Sequence, residues 1–189
     1  NNWTVGAGTL TNTEDNPSNV FCTCNPLIKD ASGIMSQGAN TGYNSASSHK
    51  SLIGTLGAIT GKYYFEVDAD TIGSAVNATA IGIASEESAV FQDSTHNAGG
   101  VADYVYTAGA EYQGNNTTVS YGNTYSAGDI IGVAMDLDNG KLYFSKNGTW
   151  QNSGDPTSGA TGTGAKDIPT GKYYFPMLGL YGGTLLKAN

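Results

Sequence analysis

The densest group of side chains with chemical potential is Asp136-x-Asp138-Asn139-Gly140. It opens like a calcium loop, but the helix-loop-helix setting and the distal Glu are missing. Two carboxylates on one strand face would also suit the acid and nucleophile of a glycosidase. Turn chemistry accounts for both more simply, because Asn139-Gly140 lies between two alternating runs and Asn-Gly is the strongest short-range hairpin signal. Counted outward from a two-residue turn, Asp138 faces Lys141, Leu137 faces Leu142, Asp136 faces Tyr143 and Met135 faces Phe144. That register buries Met135, Leu137, Leu142 and Phe144 and leaves Asp136 as a solvent-facing strand residue.

Other reactive residues are sparse. His49 and His96 sit in polar runs, with no Gly-x-Ser-x-Gly or Cys-His pattern near them, and read as surface histidines. Cys22 and Cys24 point the same way in an extended segment, cannot easily close an unstrained bridge, and read as small, partly buried thiols. Neither the acidic residues nor the histidines are spaced as a ligand set, so no metal and no cofactor is expected. The Gly-x-Gly fragments lack the strand-to-helix setting of a phosphate loop. The Asn-x-Ser/Thr sequons at Asn2, Asn77, Asn115, Asn116 and Asn147 are what chance gives in so Asn- and Thr-rich a chain. No catalytic residue is assigned, and the chain reads as a non-enzyme.

What remains is aromatic. Tyr104, Tyr106, Tyr112, Tyr121, Tyr125 and Trp150 lie in or beside runs of Asn, Ser and Gly, the composition of a recognition surface and of one that stacks on sugar rings. Tyr104, Tyr106, Tyr112 and Trp150 are the candidate binding residues. The competing reading makes half or more of these tyrosines core residues whose hydroxyls reach backbone at the sandwich edge.

The elements that must position these residues are strands. The 27 glycines and a charged fraction of 13%, against roughly 25% in ordinary proteins, indicate turn-rich β structure with a polar, uncharged surface. Alternation marks Lys62 to Asp70, a short buried-strand pattern marks Thr79 to Ser85, Ala102 to Tyr106 and Glu111 to Gln113 read as a hairpin, and the central hairpin lies within Asp129 to Thr149. Gln151 to Lys166, rich in Gly, Ser and Thr, reads as a surface loop, and no helical pattern of about ten residues occurs. Short strands with frequent turns predict an all-β, two-sheet antiparallel sandwich, with residues 1–189 as one domain. A leading segment, 1–30, holds one expected strand, from Trp3 to Leu10, and an irregular, Pro-bearing crossing from Asn16 to Pro26. The hexapeptide TGKYYF, at Thr60 and again at Thr170, reads as two equivalent edge or neighbouring strands. A formal charge of −8, with every basic residue a lysine, argues against nucleic acid and anionic membrane as partners. No apolar run is long enough to suggest membrane insertion. The first residue is Asn rather than Met, as in a processed, truncated or partial chain.

The hairpin GDIIGVAMDLDNGKLYFSKNG, from Gly128, resembles the hallmark hairpin of SPRY domains: Gly-Asp, Ile-Gly-Val, Leu-Asp, a Gly turn and Phe-x-x-Asn-Gly. GKYYFEVDA, from Gly61, is similar to an early strand of that family, with Phe65 where Trp is usual; IGIAS from Ile81 and YYFPMLGL from Tyr173 resemble two more. The four motifs follow the family's order within residues 55–182 and imply a SPRY-like sandwich of the concanavalin-like jelly-roll kind. The resemblance also implies a leading segment, 1–30, packed on the sandwich with Trp3 and Phe21 as anchors, and ligand-binding loops at one end, here around Tyr104 to Asn116 and Thr149 to Gly154.

NNWTV at Asn1 and DNPSNVFCTCNPL, from Asp15 to Leu27, resemble the segment preceding SPRY-like domains in structural proteins of tailed, especially marine, bacteriophages. That resemblance implies a virion component assembled in host cytoplasm: a fibre, spike or capsid decoration. Its partners would be other virion proteins and a host surface protein or glycan, and a homo-oligomer would fit. Rival readings are a lectin-like or glycan-degrading sandwich and a purely architectural cement protein.

Overall fold

A computed structural model describes residues 22–27, 34–36, 40–88 and 99–188. The expected leading strand, Trp3, Phe21 and His96 lie outside the described residues. Fourteen strands occur, with three-residue 3-10 turns as the sole helical pieces among the described residues.

The strands are β1 (Ile34–Ser36), β2 (Thr41–Asn44), β3 (Lys50–Ile53), β4 (Lys62–Thr71), β5 (Ala80–Ser85), β6 (Asp103–Thr107) and β7 (Glu111–Gly114). They continue with β8 (Thr117–Ser120), β9 (Asp129–Asp136), β10 (Lys141–Lys146), β11 (Thr149–Trp150), β12 (Lys166–Asp167), β13 (Tyr174–Leu180) and β14 (Thr184–Ala188). They form two sheets, one in the order β1-β2-β14-β4-β9-β10-β11 with β12 also on β10, the other β3-β13-β5-β6-β7-β8. Every pairing is antiparallel.

The core lies between the sheets. Val67, Ile131, Val133, Leu142, Phe144 and Leu186 from the larger sheet meet Leu52, Ile81, Ile83, Tyr104, Tyr106, Leu178 and Leu180 from the smaller. The period-2 alternation of β4 puts Val67 and Ala69 into this layer and turns Lys62 and Tyr64 outward. In β5 the alternation is filled on both sides: Ile81 and Ile83 join the main core, while Ala80 and Ala84 join a second cluster with Ile53, Val105 and Met177. Gly82 between them is needed small, since a Cβ there would meet the Tyr104 carbonyl at 2.2 Å.

The central hairpin corrects the sequence reading in one respect. Lys141 pairs with Asp136, Leu142 with Met135 and Phe144 with Val133, so the turn spans Leu137 to Gly140 rather than Asn139-Gly140 alone. Of the two Asn-Gly residues only Gly140 has positive φ, 62°. The longer turn forms because the Asp136 carboxylate accepts the Asn139 backbone N–H (3.1 Å) and side-chain Nδ2 (2.9 Å), and the Leu137 N–H goes to the Gly61 carbonyl (2.9 Å). Met135, Leu137, Leu142 and Phe144 are buried as expected. Asp136 is not solvent-facing: it is 3% exposed, and Tyr143 on the same outer face is 1% exposed.

The TGKYYF copies are not edge or neighbouring strands. The first enters β4, between β14 and β9; the second enters β13, between β3 and β5 in the other sheet. Each passes through a positive-φ glycine, Gly61 or Gly171, which explains the shared Thr-Gly-Lys entry.

Gly140 serves both conformation and close approach, since a Cβ there would stand 2.5 Å from the Ile168 carbonyl oxygen. Gly148 has φ of +77° but nothing within 4 Å of its would-be Cβ. Gly140→Ala is therefore expected to cost about 2–3 kcal/mol and Gly148→Ala about 1 kcal/mol, measured by urea unfolding. Equal losses would show that the Ile168 contact yields freely.

Candidate functional site

The outer face of the larger sheet carries a trough of about 290 Å³, lined by Lys62, Tyr64, Ala134, Asp136, Tyr143, Trp150 and Pro156 along with Tyr63 and Met135. Strand register builds it. Tyr64 and Tyr143 flank Ala134, and Glu66 and Ser145 flank Gly132, so the middle strand offers only small residues between larger ones. Gly132 has no room for a side chain: a Cβ would lie 2.4 Å from Ser145 Oγ and 2.5 Å from the Tyr64 hydroxyl. Trp150, paired with Ser145 across β10 and β11, leans over the far side. Its ring meets Tyr64 (centroids 6.1 Å, 68°) and Tyr143 (6.4 Å, 74°) edge-on, so the aromatic walls meet steeply rather than stacking.

The loop from Gln151 to Lys166 completes the trough. It lies at the surface as its composition implies, but it is not slack. Gln151 is 3% exposed, its Oε1 accepting from the Asn123 backbone (2.9 Å) and side chain (3.1 Å), its Nε2 donating to the Thr149 carbonyl (2.8 Å). Ser158 Oγ donates to the Asp155 carbonyl (2.6 Å), accepts from the Thr163 N–H (2.9 Å) and lies 3.3 Å from the Tyr143 hydroxyl. These contacts cover Tyr143 and fix Pro156 at the rim.

At one end Lys62 forms an ion pair with Asp136. Burial pushes the Asp136 carboxyl up, but hydrogen bonds from Lys62 and Asn139 outweigh it and hold the group below its ordinary 3.8. Along the wall the Tyr64 hydroxyl donates to Glu66 (2.6 Å); burial and that carboxylate raise its pKa, against a lowering contribution from Ser145. Asp138, the other acid of the turn, accepts the Gly61 N–H at 2.8 Å. Both aspartates are thus engaged by the turn rather than facing one another across a cleft.

Of the four binding residues expected from sequence, only Trp150 lines the trough. Tyr104, Tyr106 and Tyr112 are 5%, 0% and 7% exposed and belong to the core, so their rings cannot form a recognition surface. Tyr104 packs on Tyr174, and Tyr106 packs on Tyr121, Tyr125 and Phe144. As the competing reading had it, hydroxyls reach backbone: Tyr106 donates to the Asn123 carbonyl, and Tyr125 to the Thr79 carbonyl at 3.0 Å. Burial pushes Tyr106 up to about 12, despite the opposing hydrogen bond to Asn123. Lys166 Nζ caps this cluster 5.0 Å from the Tyr112 ring and 5.3 Å from that of Tyr121.

Lys62, Tyr64, Tyr143 and Pro156 were missed. The signal available was Tyr64 on the polar face of β4, but its facing residue, Ala134, emerges only with the correct strand pairing. Elsewhere, half-buried His49 packs on Tyr181 with centroids 4.9 Å apart, and burial lowers its pKa. Cys24 is buried and its thiol is pushed up to about 11 by burial and by Cys22, which is exposed. Among the described residues no three His, Cys, Asp or Glu side chains gather as a metal site, and no helix is long and apolar enough to cross a membrane.

Comparison with known proteins agrees with this architecture. The structure superposes on the SPRY domain of human HERC1 with a TM-score of 0.64 at 16% identity, covering 87% of this chain and 96% of that one. In sequence, 75 residues, 40% of this chain, are 32% identical to the E3 ubiquitin-protein ligase RKP of Arabidopsis thaliana, of whose length the match spans 5%. The model of the SPRY domain, a module of protein–protein interaction, matches residues 62–187. With that match over most of its length, the chain belongs to the SPRY domain family.

Proposed function

We propose that this chain is a non-catalytic interaction module that grips a partner in the outer-face trough, and that it is displayed on the particle of a tailed bacteriophage as an adhesive fibre, spike or capsid decoration. The observation that carries the binding role is the trough itself. Tyr64 is 52% exposed beside half-buried Trp150, while the one buried carboxylate of the lining is already paired with Lys62. An aromatic concavity with its charges internally matched binds by stacking and short hydrogen bonds rather than by long-range attraction. Binding should therefore change little between low and high salt.

The particle role rests on the phage-like opening stretch, Asn1 to Leu27. Weak contacts of this kind hold a cell when many copies act together, and a virion supplies the copies. The test is adsorption of particles carrying Trp150→Ala with Tyr64→Ala, the fold verified by circular dichroism. Attachment is expected to fall at least about tenfold, since aromatic anchors dominate such interfaces. Unchanged attachment would overturn the adhesive role and favour the architectural one.

A further inference from the structure

The hydrogen-bonding groups of the trough are lopsided. Asp136, the acidic residue in the lining, has both oxygens occupied, Oδ1 by the Asn139 N–H and Oδ2 by Lys62 and Asn139 Nδ2. The donors are not used up. Lys62 has three N–H groups and is 58% exposed, so N–H remains beyond the one given to Asp136. The Trp150 indole N–H has no hydrogen-bond partner among the described residues and belongs to a half-buried ring in the lining. The site thus offers apolar aromatic walls and spare N–H donors, while its acceptors are the tyrosine hydroxyls and one carboxylate already engaged.

This pattern discriminates between ligand classes. A sugar brings several hydroxyl donors, and the lining meets them with phenolic oxygens rather than with a free carboxylate. An extended peptide of ordinary residues brings backbone N–H groups with the same difficulty. A proline-rich segment does not: prolines carry no N–H, their carbonyls are acceptors only, and the polyproline II helix holds its rings and carbonyls outward without internal hydrogen bonds. Grooves walled by aromatic rings are a recurring receptor for such segments.

We propose that the trough of Tyr64, Tyr143, Trp150 and Pro156 receives a proline-rich segment in polyproline II conformation, its rings on Tyr64 and Trp150 and its carbonyls accepting from the Trp150 indole N–H and Lys62. This rests on the reading of the trough as the partner site and names the chemistry of the partner. The paired Lys62–Asp136 end makes the site indifferent to net charge, so an uncharged segment suffices.

The test titrates the full 189-residue chain with a ten-residue polyproline peptide and, separately, with a neutral oligosaccharide, following the Trp150 indole N–H by two-dimensional NMR. The resonance is assigned through Trp150→Phe. Polyproline is expected to move that resonance saturably and the oligosaccharide to leave it in place. Trp150→Phe, which keeps a ring but loses the donor, should weaken the peptide about three- to tenfold, read on backbone amides of β4 and β9. Tyr64→Ala should weaken it about tenfold or more. No saturable shift with polyproline, or a shift with the oligosaccharide alone, would overturn the proposal. If particles carrying Trp150→Ala and Tyr64→Ala lose adsorption while polyproline fails to bind, the trough is the partner site and the ligand class is wrong. If adsorption is also unchanged, both readings fall.

Discussion

Phe144→Ala is expected to lower the unfolding free energy by about 3–5 kcal/mol, in the range of large-to-small aromatic changes in cores. The ring is 0% exposed and lies where the two sheets meet, with Tyr106, Tyr121 and Tyr112 at centroid distances of 5.6, 5.7 and 6.5 Å. The cost depends on how far the neighbours can close the cavity, and here they are tethered. Tyr106 is held at its hydroxyl by the Asn123 carbonyl, and Tyr125, packed on Tyr106, donates to the Thr79 and Tyr106 carbonyls. Relaxing toward the vacancy would strain or break those bonds, which places the loss in the upper part of the range. Equilibrium urea unfolding measures it. A loss under about 1 kcal/mol would mean that the aromatic cluster repacks and that the hydroxyl tethers do not constrain it.

That Phe144 is core was legible in the sequence although the hairpin register was not. The true pairing of Phe144 with Val133, instead of Met135, is a slip of two residues, and a slip of even length leaves every side chain on its own face. The faces therefore survived the error. The partners across the strands did not, and they are what build the trough: Tyr64 and Tyr143 flank Ala134 only in the actual register. Locally, the Asp136 carboxylate taking Asn139 suits the longer turn while Asn139-Gly140 suits the shorter one, so the local signals conflict. The choice is made by Gly61, distant in sequence, whose carbonyl takes the Leu137 N–H and whose N–H goes to Asp138. The tyrosines were ambiguous for a related reason. Tyr104 and Tyr106 alternate on β6 as a half-exposed strand would, but every residue of that strand is buried, so alternation does not report which side is wet. Tyr143 was unreadable because its cover is the Gly- and Ser-rich loop after Trp150, whose closure depends on Gln151 reaching Asn123. The four family motifs, in contrast, name a fold without requiring any register, and the fold they imply is the one observed.

Asp136→Ala is expected to cost about 2–3 kcal/mol, and the part of that cost carried by the carboxylate charge should be lost in acid. The carboxylate is 3% exposed, closes the β9–β10 turn through two bonds from Asn139, and pairs with Lys62 at the start of β4, thereby joining two strands. Breaking a fully buried ion pair costs about 3–5 kcal/mol, but the Lys62 side chain is 58% exposed and would return to water, which reduces the loss. The half-buried donors of Asn139 account for most of what remains. Because hydrogen bonds from Lys62 and Asn139 hold the folded pKa below the ordinary 3.8, the unfolded chain takes up a proton first as the pH falls. The charge-dependent part of the stabilisation is therefore whole above about pH 5, begins to fall near 3.8 and is gone below the folded value. Asp129 is also held below the ordinary range, against the upward push of burial, by Ser126, Asn147 and Lys146, so acid unfolding of the wild type alone would mix the two. The difference between wild type and the near-isosteric Asp136→Asn removes the shared part. It should be constant from about pH 5 to 7 and shrink steadily below about pH 4, followed by urea unfolding at each pH. A difference that stays level down to pH 3 would show that Asp136 acts through shape and neutral hydrogen bonds alone, and that the charge on Lys62 contributes nothing to the corner where the trough begins.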